Sequence, residues 1–326
     1  MFFFNKGSGD TGTATPRPSY VAEDDIHYTA PIDEPLNIVV STDLVKEILF
    51  QFARSRSNEP YVCIETGVNP LTYKPTEEDK EKMLAADLVL YTGLGMEPGL
   101  EDLIEKISDK VRCEALSGIL EKEYQDQLIP SKEYKKGYDP HFWWNPRIWE
   151  KVIRSIVDIL GDLDPDFEFN YGSIFIRYGQ SLSLLDRRYI ESWTVRLAEE
   201  RKILVTLHPA FTYFGEKYGY KTMSLYTPES PDNVSQARRK TVADYIIKNN
   251  VPAIFPEVGF PMTEIDALHA EVKKMGNDVK IAEPLYSYFL GGDGSKDHLY
   301  LTAGRTQMDR IYYGLKLPED PDMPEH

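Results

Sequence analysis

Two imidazoles and one carboxylate stand where a parallel α/β protein would collect them. His208 lies in Thr206-Leu207-His208-Pro209, straight after an apolar run, and Glu257 ends the run Ile254-Phe255-Pro256-Glu257. His141 sits in Asp139-Pro140-His141-Phe142-Trp143, just ahead of a helix expected to begin near Pro146. In open parallel sheets, ligands bind beyond the carboxyl ends of the strands, so residues in post-strand loops can converge on one cleft. Two nitrogen donors and a carboxylate suit a borderline divalent metal ion. The same three groups could hold an activated water in a metallohydrolase. The chain has no His-Glu-x-x-His pair, no nucleophile elbow and no further base beside these residues. A binding protein rather than an enzyme is therefore expected.

The elements that must position these residues alternate in type. Strands are expected at residues 36–40, 61–65, 87–91 and 111–116, with helices at 44–53, 76–86 and 99–107 between them. Thr76 and Asp79 have capping-box spacing. A second series has strands at 202–206, 220–225, 251–255 and 279–282, with helices at 209–218, 233–249 and 263–275. Strands alternating with helices indicate mainly parallel sheets covered on both faces. Between the two series, Tyr171, Ile174, Phe175, Tyr178, Leu182, Leu185, Tyr189, Trp193 and Leu197 recur at steps of three and four residues. That spacing predicts one long amphipathic helix of about 40 Å, with Gly172 and Gly179 weakening its first part. The expected fold is α/β, with lobes at 36–165 and 200–316 joined by a linking helix at 166–199. Residues 1–35 read as a flexible tether and 317–326 as a tail.

The bulk properties exclude several functions. With 37 basic and 53 acidic residues in 326, the formal net charge is -16, and such a surface repels nucleic acid and anionic headgroups. No apolar stretch approaches the roughly 20 residues needed to cross a bilayer. Met1-Phe2-Phe3-Phe4 is too short for a signal segment, and the polar stretch after it suits an exported protein tethered to a membrane. The only cysteines, Cys63 and Cys113, lie in β-like runs and read as buried free thiols. The four tryptophans read as packing residues, and His27, His269, His298 and His326 as surface residues.

The ordered motifs then identify a resemblance. Gly67-Val68-Asn69-Pro70-Leu71-Thr72-Tyr73-Lys74-Pro75, Gly93-Leu94-Gly95-Met96-Glu97, the two histidine motifs, Tyr226-Thr227-Pro228-Glu229 and Pro284-Leu285-Tyr286-Ser287 resemble the metal-binding receptor lipoproteins of zinc and manganese ABC transporters. The likeness runs over residues 36–315. It implies two four-stranded parallel-sheet lobes bridged by one long rigid helix, a zinc or manganese ion as cargo, and a membrane permease as partner. It also implies an extracytoplasmic location, membrane anchoring through the tether, and a monomer. In such a lobe Cys63 and Cys113 would occupy opposite edge strands.

Departures from the family pattern matter as much. The position of the family's first histidine ligand is Leu71, the glutamate after the tyrosine is Lys74, and the carboxylate expected after Leu-Tyr-Ser is Tyr288. His141, His208 and Glu257 remain as the metal ligands. Three outcomes stay open. The remaining trio could hold a divalent ion with water, or a Tyr288 phenolate could add a ligand for ferric iron. Lys74 could instead pair with Glu257, reusing the scaffold for a non-metal solute or as a surface adhesin.

Overall fold

A run that is apolar on both faces can form only a strand covered on both sides, and Ile38–Thr42 (β1) is buried at all five positions. The computed structural model describes residues 35–292 and 294–322. Nearly all of the expected tether, together with His27 and His326, lies outside them. From β1 the chain runs through α1 (Asp43–Ala53), β2 (Tyr61–Ile64), α2 (Glu77–Leu84), β3 (Leu88–Tyr91), α3 (Pro98–Ile107), β4 (Cys113–Ala115) and α4 (Gly118–Glu123). The capping box forms: Thr76 Oγ1 accepts from the Asp79 amide at 3.1 Å, and the Asp79 carboxylate accepts from the Thr76 amide at 2.6 Å. Three helices follow, α5 (Pro146–Leu163), α6 (Glu168–Ser183) and the single turn α7 (Ser192–Thr194). The second series is β5 (Ile203–Thr206), α8 (Thr212–Tyr218), β6 (Lys221–Ser224), α9 (Gln236–Lys248), β7 (Ala253–Phe255), α10 (Thr263–Lys274), β8 (Lys280–Ile281) and α11 (Tyr300–Leu315).

Two four-stranded sheets result, both wholly parallel, in the orders β2-β1-β3-β4 and β6-β5-β7-β8. Each has its own core, centred on Val39, Val89 and Leu100 in the first lobe and on Val205, Ile254 and Leu268 in the second. In both sheets the strand order reverses beside the first strand of the series, between β1 and β3 and between β5 and β7. That reversal opens a crevice at the carboxyl ends. Both sheets lie within one compact unit, Pro31–His326.

The bridging element departs from the expected uniform helix. α6 runs regularly through Gly172 and Gly179, where weakness was expected, and the irregularity comes later: Leu184–Glu191 is wound as a π-helix. The wide turn carries Asp186, 1% exposed, which accepts from Arg147 of α5 at 2.7 Å and from the Tyr218 hydroxyl of α8 at 2.7 Å. Lys217 Nζ is 3.0 Å from the same carboxylate. One buried carboxylate thus ties the bridge to helices of both lobes. Such a junction accounts for a winding that no apolar spacing encodes.

A second buried carboxylate fastens the start of the bridge. Arg56 donates through Nε and Nη2 to the two oxygens of Asp164 at 2.7 Å each, and the Tyr171 hydroxyl adds a bond at 3.0 Å. These bonds, the one from Arg56 foremost, hold the Asp164 carboxyl below the usual carboxylate range. A depressed pKa contributes stability that is present above the unfolded value and lost as pH falls through the folded one. We therefore expect Arg56→Leu to destabilise the fold by about 3 kcal/mol at neutral pH, because it leaves a buried carboxylate short of its cation. The double variant Arg56→Leu/Asp164→Leu should recover much of the loss. Denaturant melts of the parent, single and double variants check this, and an unchanged midpoint in the single variant contradicts it.

Cys63 on β2 and Cys113 on β4 occupy opposite edges of the first sheet. Three strand intervals of about 4.8 Å separate them, well beyond the roughly 7 Å limit for a disulfide. Both thiols are free. The expectation that both are buried needs correction, since Cys113 is only half-buried at its edge strand. Burial nevertheless pushes the Cys113 thiol up to about 11 and the Cys63 thiol higher still. Denatured protein should titrate two thiols, with Cys113 reacting before Cys63 in the native state. A mass lower by two hydrogens would contradict the strand order.

Candidate metal site

His208 and Glu257 flank the point where the strand order of the second sheet reverses, one following β5 and the other β7. The turn after β5 is held by the Thr206 hydroxyl, which donates to the His208 carbonyl oxygen at 2.7 Å. Helix α8 starts at Thr212 rather than Pro209 because the intervening residues form this turn. Glu257 grips His208 twice: Oε1 accepts from the His208 amide at 2.7 Å, and Oε2 lies 2.8 Å from His208 Nδ1. His141 is held in the same manner from the first lobe. Asp139 Oδ1 accepts from the His141 amide at 2.9 Å and lies 2.7 Å from His141 Nδ1. A carboxylate accepts the Nδ1 proton in each pair, which leaves the Nε2 lone pair of a neutral imidazole directed away from it.

Both Nε2 atoms are buried without a hydrogen-bond partner, and so is the Tyr288 hydroxyl. The tyrosine ring lies against both imidazoles, stacked on His141 at 5.4 Å between centroids and tilted to His208 at 5.0 Å. Tyr226 and Phe260 close the other sides of His208, at 4.8 and 4.3 Å. Trp143 flanks His141 at 5.2 Å. Burial, followed by the charges of Glu257, Asp139 and Asp232, raises Tyr288 well above the ordinary phenol range, so the phenol is neutral. Buried polar groups almost always find partners. Three unpartnered ones around a single ring, two of them tautomerically fixed imidazoles, form a donor set that fits a metal ion.

The two lobes close over this set. Trp143 Nε1 donates to the Ser287 carbonyl oxygen at 2.9 Å, and the Tyr213 hydroxyl donates to the Asp139 carbonyl oxygen at 2.9 Å. Asn69 Nδ2 reaches Asp232 Oδ1 at 2.9 Å and the Pro231 carbonyl oxygen at 3.1 Å. Gly67 and Gly259 meet across the lobes at φ +91 and +86, where a Cβ on Gly67 would stand 2.8 Å from the Gly259 carbonyl oxygen. No side chain fits there. Gln307 of α11 clamps the Tyr286 backbone at 2.8 and 2.9 Å, which fixes the segment bearing Tyr288.

The three residues expected from the sequence are all buried, at 0, 1 and 2% exposure for His141, His208 and Glu257. Both Glu257 oxygens are engaged by His208, and no three His, Cys, Asp or Glu side chains converge as a metal cluster among the described residues. Lys74 is exposed and Glu257 buried, so the Lys74–Glu257 pair, one of the three outcomes left open by the sequence, does not form. Asp139 was visible only as part of a motif. Its place two residues before a histidine, in a Pro turn, is the signal that could have identified it as the partner of His141.

Comparison with known proteins places the chain in a family. The profile of the family described as "Zinc-uptake complex component A periplasmic" matches residues 38–314. The manganese-binding lipoprotein MntA of Bacillus subtilis is 29% identical over 250 residues, covering 77% of this chain and 80% of that protein. The zinc-binding protein TroA of Treponema pallidum is 28% identical over 249 residues, 76% of this chain and 79% of that protein. The solved structure of periplasmic TroA superposes with a TM-score of 0.81 at 26% identity, over 86% of this chain and 99% of that one. With its profile matching residues 38–314, this chain belongs to the ZnuA family of periplasmic zinc-uptake components.

Proposed function

We propose that this protein captures a divalent metal ion outside the cytoplasm, zinc in preference to manganese, and delivers it to the permease of an ABC uptake transporter. The observation that carries this reading is the pair of buried, unpartnered Nε2 atoms on His141 and His208, each backed by a carboxylate. Neutral imidazole suits zinc, whereas manganese prefers carboxylate and carbonyl oxygens. Asp139 and Glu257 act from behind the imidazoles, fixing their tautomers and supplying negative charge. The remaining coordination falls to solvent or to the Tyr288 oxygen, because Leu71 and Tyr288 stand where the family has ligands. Residues 36–165 and 200–316 act as the two jaws, and residues 166–199 as the strut between them. The relatives' designation as lipoproteins supports anchoring of the segment before residue 36 to a membrane. No helix among the described residues is long and apolar enough to cross one.

One observation favours a second reading. The Tyr288 ring packs against both imidazoles, and among the described residues these are the two histidines in ring contact with it. A scaffold altered in this way could carry a non-metal solute. Elemental analysis of protein purified without chelator, followed by zinc and manganese titrations, separates the readings. Stoichiometric zinc with weaker manganese supports the first. Absence of both ions, or manganese bound more tightly than zinc, counts against it.

A further inference from the structure

A protein of formal net charge -16 carries an unlike surface along the outer side of its bridge. Ten residues from Phe169 to Arg196 are exposed: four apolar, four arginine, and Gln180 and Glu191. The apolar four are Phe169 at 85% exposure, Ile176 at 63%, Leu184 at 36% and Val195 at 70%. Arg177, Arg187, Arg188 and Arg196 lie among them, and none enters an ion pair among the described residues. Arg196 only covers the Trp193 ring, at 4.4 Å. Arginines elsewhere are engaged: Arg147 with Asp186, Arg154 with Asp158, Arg201 with Asp320. The inner side of α6 is occupied by buried Tyr171, Ile174, Tyr178 and Leu182, so the outer side is free of the fold's own packing. The π winding spreads Leu184, Arg187 and Arg188 over the same outward side. Acidic groups at this stripe include Glu191 within it, Asp166 and Glu168 at its start, Glu199 and Glu200 just past its end, and Glu150 of α5 beside Gly179.

Exposed apolar side chains interleaved with unpaired arginines have the chemistry of an interfacial helix. The apolar groups enter the headgroup boundary, and the guanidinium groups reach anionic phosphates above their apolar stems. We propose that the outer face of the bridging helix docks on an anionic phospholipid surface, setting the orientation of the receptor against its membrane. An anionic surface repels the acidic remainder and attracts the arginines of this stripe. The inference rests on the extracytoplasmic, membrane-anchored reading only for the presence of a bilayer, and it does not depend on the metal.

The test is co-flotation of the full chain with phosphatidylglycerol vesicles and with phosphatidylcholine vesicles, at low and high salt. Binding to phosphatidylglycerol alone, lost at high salt, is expected. Each basic residue contributes about fivefold near such a surface, so replacing all four with Gln should weaken binding by well over tenfold. Phe169→Ser/Ile176→Ser/Val195→Ser should weaken it independently. Circular dichroism of the same samples reports folding without any metal, and a separate zinc titration keeps failure here distinct from failure of the metal reading. Equal binding to both vesicles overturns the proposal. So does undiminished binding by the arginine variant, which would leave the apolar N-terminal residues responsible. Binding to neither vesicle would assign the face to a protein partner and equally overturn it.

Discussion

Replacing either His141 or His208 with Ala should lower zinc affinity by about a hundredfold, and replacing both should remove measurable binding. The magnitude follows from the roughly 10–16 kcal/mol that a complete four-ligand zinc site supplies, or about 3 kcal/mol for each ligand. With only two imidazoles available, neither loss can be offset by a neighbouring donor. Glu257→Gln separates ligand from support. A carboxamide in that place can present an NH2 group to His208 Nδ1, favouring the tautomer whose proton sits on Nε2 and blocking ligation. Loss of such a supporting partner costs about 10- to 100-fold. The measurement is competition against a chromophoric chelator, with circular dichroism as the folding control. Full affinity in a folded His208→Ala variant would remove His208 from the site.

Zinc affinity should rise by orders of magnitude in the variant Leu71→His/Tyr288→Asp. Tyr288 is neutral, buried at 2% exposure and packed on both imidazoles. Aspartate there removes the ring packed against the donors and adds an anionic oxygen, while the imidazole introduced in place of Leu71 supplies the nitrogen that the sequence lacks. Leu71 lies in a short 3-10 turn, Pro70–Thr72, whose start is held by Asn69. That turn can therefore present a new side chain without refolding a helix or strand. Lys74→Glu should raise affinity further by removing a cation. Calorimetric titration of parent and variants decides the matter. A parent without affinity beside a tight variant shows an intact scaffold with different cargo. If no variant binds, Leu71, His141, His208 and Tyr288 do not share one site. Tyr288→Phe completes the series: unchanged affinity makes the phenol a bystander, and a drop makes it a ligand.

What the sequence determined by itself is the part that short-range physics encodes. Apolar runs of four or five residues between amphipathic stretches specify β/α alternation. Thr76 and Asp79 start a helix by local hydrogen bonds. The post-strand positions of His208 and Glu257 follow from the parallel sheet, and the ordered motifs carry the family. What only the tertiary structure decided is each group's partner. Glu257 was legible as a carboxylate near a site, but its grip on His208 spans 49 residues. The bond from Trp143 to the Ser287 carbonyl, which brings Tyr288 against both histidines, spans 144 residues. The π turn at Leu184–Glu191 leaves its apolar steps looking helical, because the demand for it comes from Asp186 and the two lobes it joins. Cys113 likewise reads as buried in a β-like run, and only the strand order makes that strand an edge. Periodicity records which side chains leave water, while the choice of buried polar partner belongs to contacts that no local pattern contains.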